Sequence, residues 1–232
     1  MLLERGRVLL EAAEHLVGET RALARGWETD ITVAVDALVP VQALYPLVEK
    51  LAEQTDTRLR LRAEVLAGSW ECLEDGRADL LISSINPDIM MTGIKHQVIK
   101  DEVMLYVAHP DHPLHQEPEP LADETLRRYR AIAVADTALR KPVLTYRLLD
   151  KQPRLTVSTM TEKRDALLAG IGVGTMPQSW IEEDIRAGRL KVISPEYRHQ
   201  LQVVLAWRRD TMGKAKSWLV REIPKLFATG EK

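Results

Sequence analysis

Three histidines at a spacing of three, His109, His112 and His115, are the first candidates for chemistry in this 232-residue chain. On a helix that spacing would align imidazoles for a metal ion, but Pro110 and Pro113 forbid a regular helix there, and no nearby Cys or Glu completes a tetrahedral set. They read as a solvated loop, and no metal is expected. Gly170-Ile171-Gly172-Val173-Gly174 has the glycine density of a phosphate loop. It lacks a following Lys-Ser/Thr and comes after helical sequence rather than before it. Its glycines read instead as room for a strand to start close to a helix, and for the turn Thr175-Met176-Pro177 to approach a ligand. Asp36, Asp79 and Asp136 fall at predicted strand ends, where carboxylates can act in a cleft, yet no histidine is predicted beside any of them. There is no Gly-x-Ser-x-Gly, His-Glu-x-x-His or Cys-x-x-Cys. The expectation is a binding cleft without catalytic machinery, metal or cofactor.

Composition narrows the class. The formal charge is −2 and neither end carries a long basic block, so nothing in this chain makes an electrostatic footprint for DNA or an anionic membrane. The lone Cys72 has no partner for an internal disulfide and sits between Trp70 and Leu73 on a predicted helix, where it reads as buried filler. The opening residues alternate charge with leucine, unlike a signal peptide, and no run is long enough to span a bilayer. A cytoplasmic location is expected.

Periodicity then supplies the elements. Leu2, Leu9, Leu16 and Leu23 recur every seven residues, which predicts a helix over residues 1 to about 25. Its seam faces either a partner helix or its own domain. Ile31, Val33 and Val35 alternate as in a strand; Pro40 then opens a helix carrying Leu44, Leu47, Val48 and Leu51. Arg58, Arg60 and Arg62 share one face of a strand whose other face carries Leu59 and Leu61. That arginine face is either solvated or an edge turned to another subunit. Ser69 is expected to cap the next helix, and Asp79–Ile82 to form a short buried strand ending at Ser83-Ser84. Val98–Val107 reads as one or two strands.

A second alternation of strand and helix follows from residue 121, and a closing helix over Ala215–Phe227 is bent or ended near Pro224. The segment opening at Arg60-Leu61 has a counterpart 94 residues later at Arg154-Leu155, each followed by a polar turn, a helical stretch and an apolar run. Two βαβ-like units predict two similar α/β lobes with mostly parallel strands and a small-molecule cleft beyond the strands' carboxyl ends. The closing helix should return to the first lobe, with chain crossings near 106–109 and 205–208.

Several segments together resemble LysR-type transcriptional regulators. LLERGRVLLEAAEHL, from Leu2, resembles that family's linker helix. EVLAGSWECLEDGRADLLIS, HPDHPL and DALLAGIGVGTMP resemble its regulatory-domain signatures, and the match runs the whole chain. The resemblance implies an α/β, periplasmic-binding-protein-like domain: two Rossmann-like lobes joined by two crossover strands and preceded by a linker and dimerisation helix. The implied bounds are 1–26 for the helix, 27–107 with 208–232 for lobe I, and 108–207 for lobe II. DNA would be contacted only through a helix-turn-helix domain preceding Met1. A homodimer or tetramer is implied, pairing through Val41–Gln54, Leu59–Leu66 and Glu162–Ala169.

Effector contacts implied by the resemblance fall on Asp36, Ala37 and Leu38, on Leu66 and Ala67, and on Ser83, Ser84 and Ile85. In the second lobe they fall on Asp136, Thr159, Thr161, Thr175, Met176 and Pro177. Many relatives carry Ser or Thr where this chain has Asp36, and an ionised Asp there would repel an anion. These positions mix apolar walls with hydroxyls, so the expected effector is neutral or phenolic, aromatic molecules included. Two rivals are kept, a solute-binding protein and a small-metabolite enzyme on the same two-lobed fold.

Overall fold

A computed structural model describes residues 26–85, 93–209 and 212–228. The leucine repeat of residues 1–25 lies outside them. The strands form one nine-stranded mixed sheet in the order β2 (Arg58–Glu64), β1 (Asp30–Asp36), β3 (Leu80–Ser84), β9 (His199–Arg208), β4 (Ile94–Ala108), β7 (Val173–Pro177), β5 (Ala131–Val134) and β6 (Arg154–Val157), with β8 (Lys191–Val192) paired to β4. The first half holds β1 (Asp30–Asp36), β2 (Arg58–Glu64) and β3 (Leu80–Ser84); the second holds β5 (Ala131–Val134), β6 (Arg154–Val157) and β7 (Val173–Pro177). Each half has the same topology: its first strand lies between the other two, parallel to both. The faint repeat in the sequence is thus a repeat of structure, with β2 and β6 at opposite edges.

The sheet is not mostly parallel throughout. β4 (Ile94–Ala108) and β9 (His199–Arg208) run antiparallel to each other, to β7 and to β3 respectively. They carry the chain between the halves and so run against the strands they join. β4 is a single strand of 15 residues with a register shift between Val98 and Lys100.

The alternation of β1 buries Ile31, Val33 and Val35 against one core, while Ala34 faces a second one with Trp70, Cys72 and Leu73. Pro40 is followed not by an α-helix but by a 3₁₀ turn, Val41–Leu44, and the helix α1 (Tyr45–Ala52) starts only then. Pro46 explains the delay: it has no N–H for a helix interior but is tolerated in a first turn. On β2, Leu59 and Leu61 pack on the first core, while Arg58 and Arg60 each reach Asp30 at 2.9 Å.

The second half packs α4 (Met160–Leu168) and α5 (Gln178–Arg186) around Leu105, Ile132, Leu167 and Met176. A short helix, α3 (Asp123–Leu126), leads into β5. Asp184, fully buried on α5, receives Arg164 and Arg189 and so ties the two helices together. The closing helix α6 (Lys214–Ala228) returns to the first half, placing Ala215, Leu219 and Ile223 in its core; it continues past Pro224. The Glu28 carboxylate accepts the amides of Ala215 and Lys216, neutralising the helix's first turn.

Candidate functional site

The carboxyl end of β1 delivers Asp36 into the interior, 4% exposed. Its Oδ1 accepts the Leu38 amide at 3.0 Å, and its Oδ2 accepts the Ser69 hydroxyl at 2.5 Å and the Ser83 hydroxyl at 3.2 Å. Burial pushes this carboxyl up from the ordinary range, and those donors pull it only partly back. Ser69 therefore does not cap a helix. It lies within α2 (Ala67–Glu74), whose N-cap is Leu66, and its side chain turns inward to Asp36. Leu66 has a φ of 52°, a left-handed conformation costly for a branched side chain, at the mouth of the site.

The segment after β5 straps the second half onto α2. Asp136 accepts the amides of Gly68 (3.0 Å) and Ala67 (3.4 Å), and those of Ala138 and Leu144 in its own loop. Thr137 accepts the Val65 amide and donates to Glu64. A Cβ on Gly68 would collide with Thr137, so the close approach requires glycine. The Glu71 carboxylate accepts the amides of Leu139, Arg140 and Lys141. Burial alone would raise Glu71; the three amides, with Arg77, outweigh it and hold the carboxyl below its usual range. On the other flank, the Trp180 indole on α5 donates to the Leu38 carbonyl.

Between the halves lies a cavity of about 340 Å³. The expected residues Asp36, Ala37, Leu38, Leu66, Ser83, Ser84, Ile85 and Thr175 line it together. Ala67, Asp136, Thr159, Thr161, Met176 and Pro177 do not. Ala67 is buried in α2, and Asp136 is occupied by the strap. Thr159 is an exposed N-cap, its hydroxyl accepting the Glu162 amide in a capping box, and Thr161 is exposed one residue into α4. Met176 belongs to the second-half core, on the strand face opposite Thr175; Pro177 is buried at the end of β7.

The cavity has further walls that sequence reasoning missed: Val65, Trp70, Met104, Ala133, Val134, Met160 and Leu201, and the strap residues Leu144, Thr145, Tyr146 and Leu148. It also has Lys163. This α4 side chain is 7% exposed and makes no hydrogen bond or ion pair among the described residues. Its stem lies over β7, the Cε 3.1 Å from where a Cβ on Gly174 would stand. Burial alone pushes its ammonium down to about 8.

Other early candidates are engaged elsewhere. Cys72 is buried in the core behind β1, and burial raises its thiol to about 11. Asp79 accepts the Thr32 amide at 2.8 Å, joining β3 to β1. His109 and His112 accept amides of their own loop, and among the described residues no three His, Cys, Asp or Glu gather as a metal set. No described helix is long and apolar enough to cross a membrane.

Residues 24–228 match the family model for the LysR substrate binding domain. The chain is 57% identical over 230 residues to the probable HTH-type transcriptional regulator YhaJ of Escherichia coli K12, covering 98% of this chain and 76% of that one. It is 32% identical over 227 residues to the uncharacterized HTH-type transcriptional regulator YeeY of the same strain, covering 96% and 73%. Among solved structures, the full-length regulator LysG of Corynebacterium glutamicum with bound effector Arg superposes with a TM-score of 0.69 at 19% identity, covering 97% of this chain and 78% of that one. The chain belongs to the LysR family of transcriptional regulators, and its two-lobed α/β fold is that family's effector-binding domain.

Proposed function

We propose that the cavity between the halves is the effector site, and that the domain binds its ligand without turning it over. One observation carries this reading: both halves contribute walls to one mostly apolar space, so a molecule held there touches both at once. A ligand that fits one arrangement of the halves better than another shifts their relative population by the difference in its affinities. The halves are proposed to join where core membership changes, at Ile99 to Val103 on β4 and just before Val203 on β9. That is a few residues earlier than bounds of 107 and 207. The change would pass through a dimer to a helix-turn-helix domain of the full-length regulator, acting in the cytoplasm. The relatives' names, all of transcriptional regulators, favour this over a transport or catalytic role.

A thermal-shift screen tests the site. Ala133 lines the cavity from β5, and Ala133→Phe fills it with a ring. A ligand at about a hundred times its Kd should stabilise the wild type by about 2.7 kcal/mol, several degrees in Tm. Ala133→Phe, shown folded by circular dichroism, should lose that shift. An undiminished shift in the variant would place binding elsewhere.

A further inference from the structure

We infer that the effector is a small apolar molecule carrying a single negative charge, and that Lys163 is the residue that takes it. The inference rests on the reading of the cavity as the effector site and names the ligand class that site selects.

Two charged side chains reach the cavity from opposite halves, and their surroundings differ. Asp36 is already supplied with donors by Ser69, Ser83 and the Leu38 amide, so little of its accepting capacity is left for a ligand. It makes no ion pair with Lys163. Lys163 has three donors and no acceptor among the described residues, although 93% of it is out of contact with solvent by its 7% exposure. Buried charges are normally paired, because an unpaired one loses its hydration for nothing. Among the described residues this lysine thus lacks a partner in the cavity wall, and a ligand can bring one. Gly174 keeps the space open, since a side chain at that position would press on the lysine stem.

The partner we assign is an anion rather than a neutral acceptor, since a counter-charge offsets the desolvation of the ammonium more fully than a neutral oxygen does. It carries one charge rather than two: among the described residues Lys163 is the single cationic side chain lining the cavity, and Asp36 would repel a second negative group. The remaining walls, including Trp70, Met104, Leu144 and Leu201, favour an apolar or aromatic frame. At about 340 Å³ the space is at the small end of ligand pockets, which fits one ring with a short acidic arm. A carboxylate and an acidic phenolate share this chemistry.

The test uses matched pairs differing in the acid alone: benzoate and benzamide, 3-phenylpropanoate and 3-phenylpropanamide, 4-nitrophenolate and 4-nitroaniline. Each is titrated calorimetrically and by thermal shift against the wild type, Lys163→Met and Ala133→Phe. At least one acid should bind the wild type about ten- to a hundred-fold more tightly than its neutral partner, as a charge-assisted hydrogen bond implies. Lys163→Met should abolish that preference and raise the ligand-free Tm, because it removes an uncompensated buried charge. The inference is overturned if neutral members bind as tightly as acids, if Lys163→Met keeps the preference, or if Lys163→Met lowers the ligand-free Tm as loss of a structural lysine would. It is also overturned if no acid binds. Neutral compounds that bind and are lost only in Ala133→Phe would leave the cavity reading standing while the anion assignment falls.

Discussion

Asp36 and Lys163 stand on opposite walls of one cavity, each drawn out of water by the strand or helix that carries it, and each shifted by burial toward its neutral form. Their surroundings differ. The first-half wall surrounds Asp36 with two hydroxyls and an amide, all within hydrogen-bond reach. The second-half wall lays the stem of Lys163 over Gly174 and, among the described residues, gives its ammonium no hydrogen bond or ion pair. One wall is chemically complete and the other is not. A satisfied buried charge is a structural joint, here tying β1 to α2 and β3. An unsatisfied one is tolerated where function outweighs its cost to stability.

The sharpest way to break this comparison is to remove each group in turn. Asp36→Ala leaves two buried hydroxyls and an amide without their acceptor, and should destabilise the domain by about 2–4 kcal/mol in urea unfolding. A cost near zero would mean that Asp36 is no joint.

Lys163→Met should have the opposite sign, stabilising the ligand-free domain by roughly 1–3 kcal/mol near neutral pH. The gain should depend on pH in one direction. Lys163 has a folded pKa of about 8 against 10.5 unfolded. Below about 8 both states hold the proton and the folded state bears the whole penalty. Between 8 and 10.5 the unfolded state binds more protons, so wild-type stability rises with pH relative to the variant. The stability difference should therefore close across that window, as measured by unfolding at a series of pH values. The cavity's other titratable side chains, Asp36 and Tyr146, are present in both proteins and cancel in the difference.

The smallest effect is expected at Thr159. Sequence reasoning placed its hydroxyl against the effector, whereas the structure makes it the exposed cap of α4. Thr159→Val should cost about 1 kcal/mol of stability through the lost cap and leave ligand affinity unchanged. A changed affinity with unchanged stability would return Thr159 to the site.

These three positions show what the residues alone could convey. Strand alternation at Ile31-Val33-Val35 and the apolar run at Leu80–Ile82 mark strands whose carboxyl ends open on one cleft, in agreement with Asp36, Ser83 and Thr175, which the family resemblance implied beforehand. Lys163 could not be named from the sequence. It sits in Thr161-Glu162-Lys163-Arg164-Asp165, a run that reads as a solvated helix face. Only the packing of α4 against β5 and β7, with glycine at 174, decides that this one charge turns inward. The strap is similar: Leu144, Thr145, Tyr146 and Leu148 show no period, and their place in the wall follows from Glu71 gripping the chain at 139–141 and Asp136 gripping it at Leu144. Ser69 was misread because a serine three residues after Leu66 looks like a cap until the left-handed Leu66 takes that position.

The central claim is that the incomplete wall is where the effector's charge goes, and a crystal structure with the tightest-binding acid of the panel tests it most directly. The account predicts an acid oxygen about 3 Å from Lys163 Nζ, with the apolar frame among Trp70, Met104 and Leu201 and the hydrogen bonds of Asp36 unchanged. An acid bound outside the cavity, or inside it with its charged end turned away from Lys163, would contradict it.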